Sequence, residues 1–115
     1  MRVVVCGSRD WIRMAPIMTR LEKLPKLSTV IEGGQKGADK LARIAADSIG
    51  LDVIEFPANW RGRLKAAGPY RNRLMLDLKP DLVIAFHEDI KNSKGTKDCV
   101  EEAKRRGIAI ELHES

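Results

Sequence analysis

Val30-Ile31-Glu32-Gly33-Gly34-Gln35-Lys36-Gly37-Ala38-Asp39 is the stretch on which the fold turns. The apolar run Thr29 to Ile31 reads as a short buried strand, and it breaks at once into two glycines. A third glycine, Gly37, arrives as a helical pattern begins. Such a strand–turn–helix unit places backbone N–H groups at a helix N-terminus, where the helix dipole favours an anion. Adjacent glycines permit φ > 0 and leave no Cβ in the way of a ligand. Lys36 adds a cation beside the turn. The expectation is a phosphate or nucleotide pocket; the plainer alternative is a tight strand-to-helix turn that binds nothing.

Outward from this unit the same alternation repeats. Arg2 to Cys6 is β-branched and continuous, as in a strand buried on both faces of a parallel sheet. It runs into Gly7-Ser8-Arg9-Asp10. Pro16 suits the first turn of a helix with the stripe Ile17, Leu21 and Leu24, stopped by Pro25. After Gly37, the positions Ala38, Leu41, Ala42, Ala45 and Ile49 share a helix face, and Gly50 fits the C′ cap. Val53 to Phe56 reads as a third strand, and Ala58 to Ala67 as a loop carrying Asn59, Trp60, Arg61, Arg63 and Lys65. Pro69 suits the start of a helix that Pro80 ends, with Tyr70, Leu74 and Leu78 on one stripe and Arg71 with Met75 on the next. Asp81 to Phe86 is a fourth strand, followed by the polar loop His87 to Lys94. A last helix runs from Gly95-Thr96 to about Arg106, with Glu101–Arg105 and Glu102–Arg106 spaced for outward ion pairs. Ile108 to Leu112 closes the chain's fifth strand. The βαβαβαβαβ alternation with right-handed crossovers predicts an α/β fold: a single Rossmann-like domain over residues 1–115, a five-stranded parallel sheet of order 3-2-1-4-5, helices on both faces.

In such a sheet, ligands sit beyond the carboxyl ends of the strands where the strand order reverses. The polar and glycine-rich turns of this chain all fall there. Strand 1 offers Gly7, Ser8 and Arg9, and strand 2 offers Gly33, Gly34, Lys36 and Gly37. Strand 3 leads to Asn59 and Trp60, and strand 4 to Ser93, Gly95 and Thr96. The opposite edge carries only Pro25, Gly50, Pro80 and Gly107. Each candidate has a plainer alternative. Arg9 could pair with a nearby acid, Arg71 and Arg73 could be solvated, Trp60 could cover a core, and Asp39 and Asp98 could simply be first-turn acids favoured by the dipole.

Composition narrows the classes. At 115 residues the chain is long enough for one core. It is 43% hydrophobic and 32% charged, which describes a globular protein and not a disordered one. The net charge of +5 suits an anionic partner, but the basic residues are scattered and form no tail, so duplex DNA binding is disfavoured. Cys6 and Cys99 have no metal-site spacing and read as reduced thiols. Three consecutive residues, His87-Glu88-Asp89, cannot easily share one ion, so no metal is expected. Val3 to Cys6 is too short for a leader or membrane span. Ser8 has no suggestive His partner for hydrolase chemistry.

Four motifs, taken together and in order, resemble a known family: Val5-Cys6-Gly7-Ser8-Arg9-Asp10, Glu32 to Asp39, Ala67-Gly68-Pro69-Tyr70-Arg71-Asn72-Arg73-Leu74-Met75, and Gly95-Thr96-Lys97-Asp98. The chain is similar to the YspA-type, cpYpsA-related branch of the SLOG superfamily, which includes the LOG phosphoribohydrolases and DprA. The extended loop before Gly95-Thr96 resembles versions carried by bacteriophages. The resemblance implies a Rossmann-like fold binding a nucleotide or nucleotide-derived molecule, without a cofactor, in the cytoplasm of a bacterial or phage-infected cell. In LOG enzymes an Arg-x-x-x-Met arginine and a glutamate after Gly-Thr assist N-glycosidic cleavage of a nucleoside monophosphate. Arg71, with Met75 four residues on, matches the arginine, and the glutamate position falls on Asp98. The LOG Pro-Gly-Gly is replaced by His87 to Lys94, a departure that weakens the case for catalysis more than for binding. The expectation is therefore a nucleotide sensor or sequestering module. The alternatives are a LOG-like glycosidase, and single-stranded nucleic acid binding as in DprA, with Trp60 stacking among Arg61, Arg63 and Lys65. SLOG relatives also make a homodimer an option.

Overall fold

Val3, Val4 and Val5 have no solvent exposure at all, although they are consecutive on one strand. Successive side chains of a strand point to opposite faces, so both faces of this one must be covered. The computed structural model, which describes residues 1–58 and 67–115, shows how. Five strands, β1 Arg2–Gly7, β2 Thr29–Glu32, β3 Asp52–Glu55, β4 Leu82–Phe86 and β5 Ala109–His113, alternate with four helices, α1 Met14–Glu22, α2 Ala38–Ile49, α3 Ala67–Leu76 and α4 Gly95–Arg105. The sheet has the expected order β3-β2-β1-β4-β5, and every neighbouring pair is parallel.

Val3 and Val5 join Ile17 and Leu21 of α1 and the alanine stripe Ala38, Ala42, Ala45 and Ala46 of α2 in one core. Val4 and Cys6 join Met75 and Leu76 of α3 and Cys99, Val100 and Ala103 of α4 in the other. The alanines let α2 lie close to the sheet. Phe86 packs edge-on to Trp11 at 5.6 Å between ring centroids and stacks on His113 at 4.8 Å, closing the first core at the carboxyl end of β4. Both thiols are buried and unbonded to any disulfide partner.

Element boundaries follow the backbone ladder more than side-chain polarity. Strand β2 runs one residue past its apolar run because Glu32 still pairs with Glu55 across the ladder. Residue Ala67 belongs to α3, so Pro69 lies in that helix's first turn. The inward face of α3 carries Arg71, Asn72, Met75 and Leu76, while Tyr70 is exposed. Tyr70 therefore does not belong to the packing face, although Leu78 still packs on the second core, because polar Arg71 and Asn72 turn inward to meet backbone carbonyls. Glu102 pairs with Arg106 as expected but takes Arg105 as well, while Glu101 faces Lys97 in place of the expected Arg105. The loop before α4 includes a turn of 3-10 helix, Ile90–Asn92. Asn59, Trp60, Arg61, Arg63 and Lys65 lie outside the described residues. Among those described, no helix is long and apolar enough to cross a membrane.

Phe86 is a large, fully buried side chain between Trp11 and His113. Phe86→Ala should cost about 3–5 kcal/mol in stability, measured by guanidinium denaturation with an unchanged slope.

Candidate functional site

The carboxyl ends of β1 and β4 lie side by side, paired from Val3–Leu82 to Gly7–Phe86. Strand β1 connects on toward β2 on one side, and β4 toward β5 on the other, so a crevice opens between their turns. A cavity of about 740 Å³ occupies it. Gly7, Ser8, Arg9 and Asp10 line it from the β1 turn, Gln35 from the turn after β2, and Asp39 from the first turn of α2. Gly68, Pro69, Arg71, Asn72 and Met75 come from α3, and His87, Ser93, Lys94, Gly95 and Thr96 from the β4–α4 connection. Cys6 is also in the lining.

The β1 turn is held by backbone bonds. Ser8 N donates to Phe86 O at 2.9 Å, and Ser8 O accepts from Ala38 N at 3.0 Å. Its hydroxyl donates to Glu88 Oε1 at 2.7 Å and accepts from Asp10 N at 3.0 Å. The Ser8 hydroxyl in turn holds the Glu88 carboxyl below the usual range. At the start of α4, the Ser93 hydroxyl accepts from the amides of Thr96 and Lys97, the work of an N-terminal cap. Arg9 and Lys94 are exposed at the rim, with Arg9 Nε donating to Gln35 Oε1 at 3.5 Å.

The glycine turn is organised differently from the expectation of bare amides. Gly33 N and Gln35 N donate to Asp39 Oδ2, at 3.1 and 3.4 Å, and Gly34 N donates to Glu32 Oε1 at 2.6 Å. Two side-chain carboxyls thus occupy the place an external anion would take. Gly33 leaves the space here that the bound guanidinium fills: a Cβ would run into Arg71 Nη1. That nitrogen donates to Gly33 O at 2.7 Å and, at 3.4 Å, to Phe56 O. Arg71 Nε donates to Asn72 Oδ1 at 3.0 Å, and Asn72 Nδ2 donates to Asp98 Oδ2 at 3.0 Å and to Gly95 O at 3.2 Å. Burial pushes the Asp39 carboxyl up to about 6, against the pull of Arg71 and of the Gln35 and Gly33 amides. On the cavity floor, the hydrogen bond with Cys99 and burial push the Cys6 thiol well above its ordinary range.

Of the residues singled out from sequence, Gly7, Ser8, Arg9, Arg71, Ser93, Gly95 and Thr96 share the cavity wall. Gly33, Gly34, Lys36, Gly37 and Arg73 are not in that wall. Lys36 is exposed, and Arg73 is exposed with Nη1 on Pro69 O. Asp98 stands behind Asn72. Asn59 and Trp60 are outside the described residues. Among the lining residues not placed in the site by sequence are Gln35, Asp39 and Asn72. The Asn72 signal was its position next to Arg71; Asp39 was masked by its equally valid role as a first-turn acid.

Replacing Arg71 by Met leaves Gly33 O and Asp39 without their buried cation. The variant should lose about 2–4 kcal/mol of stability. Its Asp39 carboxyl, followed by NMR, should titrate above the parent's value of about 6, because the charge that lowers it is gone. An unchanged Asp39 titration would show that Arg71 does not act on it.

The YspA, cpYpsA-related SLOG family matches residues 1–62 of the chain. The Gene 61 protein of Mycobacterium phage D29 is 31% identical over 118 residues, spanning 95% of this chain and 93% of that protein. Among solved structures, DNA processing protein A (DprA) from Streptococcus pneumoniae superimposes with a TM-score of 0.73 at 22% identity over 96% of this chain. The chain spans 49% of that DprA chain, and the likeness is one of fold. With a family match over more than half its length and a phage relative over nearly all of it, the chain belongs to the YspA, cpYpsA-related SLOG family.

Proposed function

We propose that residues 1–115 act as one nucleotide-binding domain whose cavity, at the carboxyl edge of the sheet, takes a nucleotide or nucleotide-derived molecule and senses or sequesters it. One observation carries this: the turns after β1 and β4 converge on a cavity of about 740 Å³ at the point where the strand order reverses. That volume lies within the usual range of small-ligand sites. The phosphate would lie on the side of Ser8, Arg9, Lys94 and Thr96, since carboxyls already engage the Gly33 and Gly34 amides. The base would lie toward Met75 and Pro69, the apolar part of the wall. Membership of the SLOG family supports a nucleotide-type ligand, and the phage relative supports action inside a bacterial host cell.

The enzymatic alternative is N-glycosidic cleavage of a nucleoside monophosphate, with Arg71 stabilising developing charge and Asp98 assisting at the ribose. The Arg71–Asn72–Asp98 chain favours it by joining the two residues. Against it, the Arg71 bonds run to Gly33 O, Phe56 O and Asn72, which suits a structural cation better than one waiting for substrate. Nucleic acid is the third partner class, supported by the fold likeness to a DNA processing protein.

Mass spectrometry of the purified protein incubated with a pool of nucleoside monophosphates and related nucleotides separates these. Saturable retention of an intact nucleotide, weakened about tenfold by Arg9→Ala through loss of one charge-assisted hydrogen bond, is the expected result. Release of free base with ribose 5-phosphate, abolished by Arg71→Ala, would establish the glycosidase instead. With neither, single-stranded DNA binding that falls steeply with salt would move the assignment to nucleic acid.

A further inference from the structure

Glu32 ends β2 directly opposite Glu55 on β3. It is fully buried, a rare state for a glutamate. One carboxyl oxygen, Oε1, accepts from Gly34 N at 2.6 Å; the other, Oε2, is sealed from water and has no hydrogen-bonding partner among the described residues. An ionised carboxylate in that position would be a buried charge with half its hydrogen bonding missing, facing a like charge across the ladder. The surrounding cations are committed elsewhere. From α2, Arg43 Nη1 and Lys40 Nζ reach Glu55 Oε2 at 3.0 and 3.8 Å. From α3, Arg71 donates to Gly33 O, Phe56 O and Asn72. The remaining charged group on α2 facing this corner is Asp39, another carboxyl.

We propose that Glu32 is a neutral carboxylic acid whose Oε2–H donates to Glu55, and that this shared proton positions the Gly33–Gly34 turn, and through it Arg71 and Asp39 at the cavity. The mechanical path is short. Gly34 is clasped between Glu32 Oε1 and the Glu55 side chain, so tightly that a Cβ there would lie 2.9 Å from Glu55 Oε1. The next residue back, Gly33, holds Arg71 through its carbonyl and Asp39 through its amide. Burial, the Glu55 carboxyl and Asp39 together push Glu32 up to about 8, while Glu55, hydrogen-bonded by Glu32, is held below its ordinary value. Glu32 thus acts as a positioning residue.

The sign of the pH dependence follows. An acid raised in the folded state, here from 4.5 to about 8, contributes stability that is complete below the lower value and is lost as pH rises through the upper one. Asp39 does the same, but its window closes at about 6, so the range from about pH 6.5 to about pH 9 isolates Glu32.

Three measurements on the intact chain decide the matter. The Glu32 side-chain carbonyl signal should titrate near pH 8; a midpoint in the ordinary carboxylate range overturns the proposal. Glu32→Gln keeps the clasp, its amide donating to Glu55 and its oxygen accepting from Gly34. It should already melt above the parent at about pH 6.5, matching it only below about pH 4.5, and lose less melting temperature toward about pH 9. A Glu32→Gln profile parallel to the parent's overturns it. The Arg71 Nε–H signal should shift with the Glu32 midpoint in the parent and stay flat in the variant; a flat parent signal removes the positioning role. None of these readouts needs a nucleotide. The ligand arm, retention of a nucleoside monophosphate falling through pH 8 in the parent alone, rests on the proposed function and fails separately from the clasp.

Discussion

The hydrogen bond from the Arg71 guanidinium to the Gly33 carbonyl is the constraint on which the site depends. It joins α3 to the turn after β2 across 38 residues of chain, in an environment where both groups are buried. A buried cation is tolerable only when its donors are used and an opposite charge is near. Here Gly33 O, Phe56 O and Asn72 take the donors and Asp39 supplies the charge. Much follows from this one placement. Gly33 leaves the space that the guanidinium fills, α3 has to turn a polar face inward, and Asn72 becomes the link between Arg71 and the start of α4.

The same constraint redistributes the anion-binding capacity of the edge. A strand–glycine–helix turn ordinarily leaves amides for a ligand. In this chain the Glu32 and Asp39 carboxyls engage them, and a side-chain hydrogen-bond network replaces an open cradle. What is left facing the cavity is the β1 turn and the start of α4, with Arg9 and Lys94 at the rim. The two halves of the edge therefore differ: on the β2 side carboxyls engage the turn amides, and on the β1–β4 side polar groups face the cavity. Glu88, bonded to Ser8, sits at the boundary, with its carboxylate on one of the hydroxyls an anion would seek.

Much of this was legible in the residues. The continuous valines of β1, the Ala38–Ala42–Ala45 stripe and the five strand-like runs were enough for a doubly covered parallel sheet in the order observed. The clustering of glycine and polar turns at one edge was enough to place a cavity there. The inward face of α3 was not legible, because hydrophobic periodicity favours Tyr70 and Leu74, and nothing local reports that a carbonyl from β2 awaits an arginine. Glu32 was equally silent: in sequence it is a polar residue after an apolar run, and only its opposition to Glu55 makes its protonation an issue.

The sequence by itself determined the periodicities, and with them the number, type and order of elements and the edge at which polar turns gather. These are local properties, set by side-chain alternation and by where glycine and proline interrupt it. Tertiary structure alone decided which polar groups are set against one another: Glu32 with Glu55, Asp39 with Arg71, Asn72 with Asp98. Those pairings join residues distant in the chain, and their energies depend on desolvation and on separations of a few ångströms. No sequence pattern encodes such separations until the sheet and helices have closed around them.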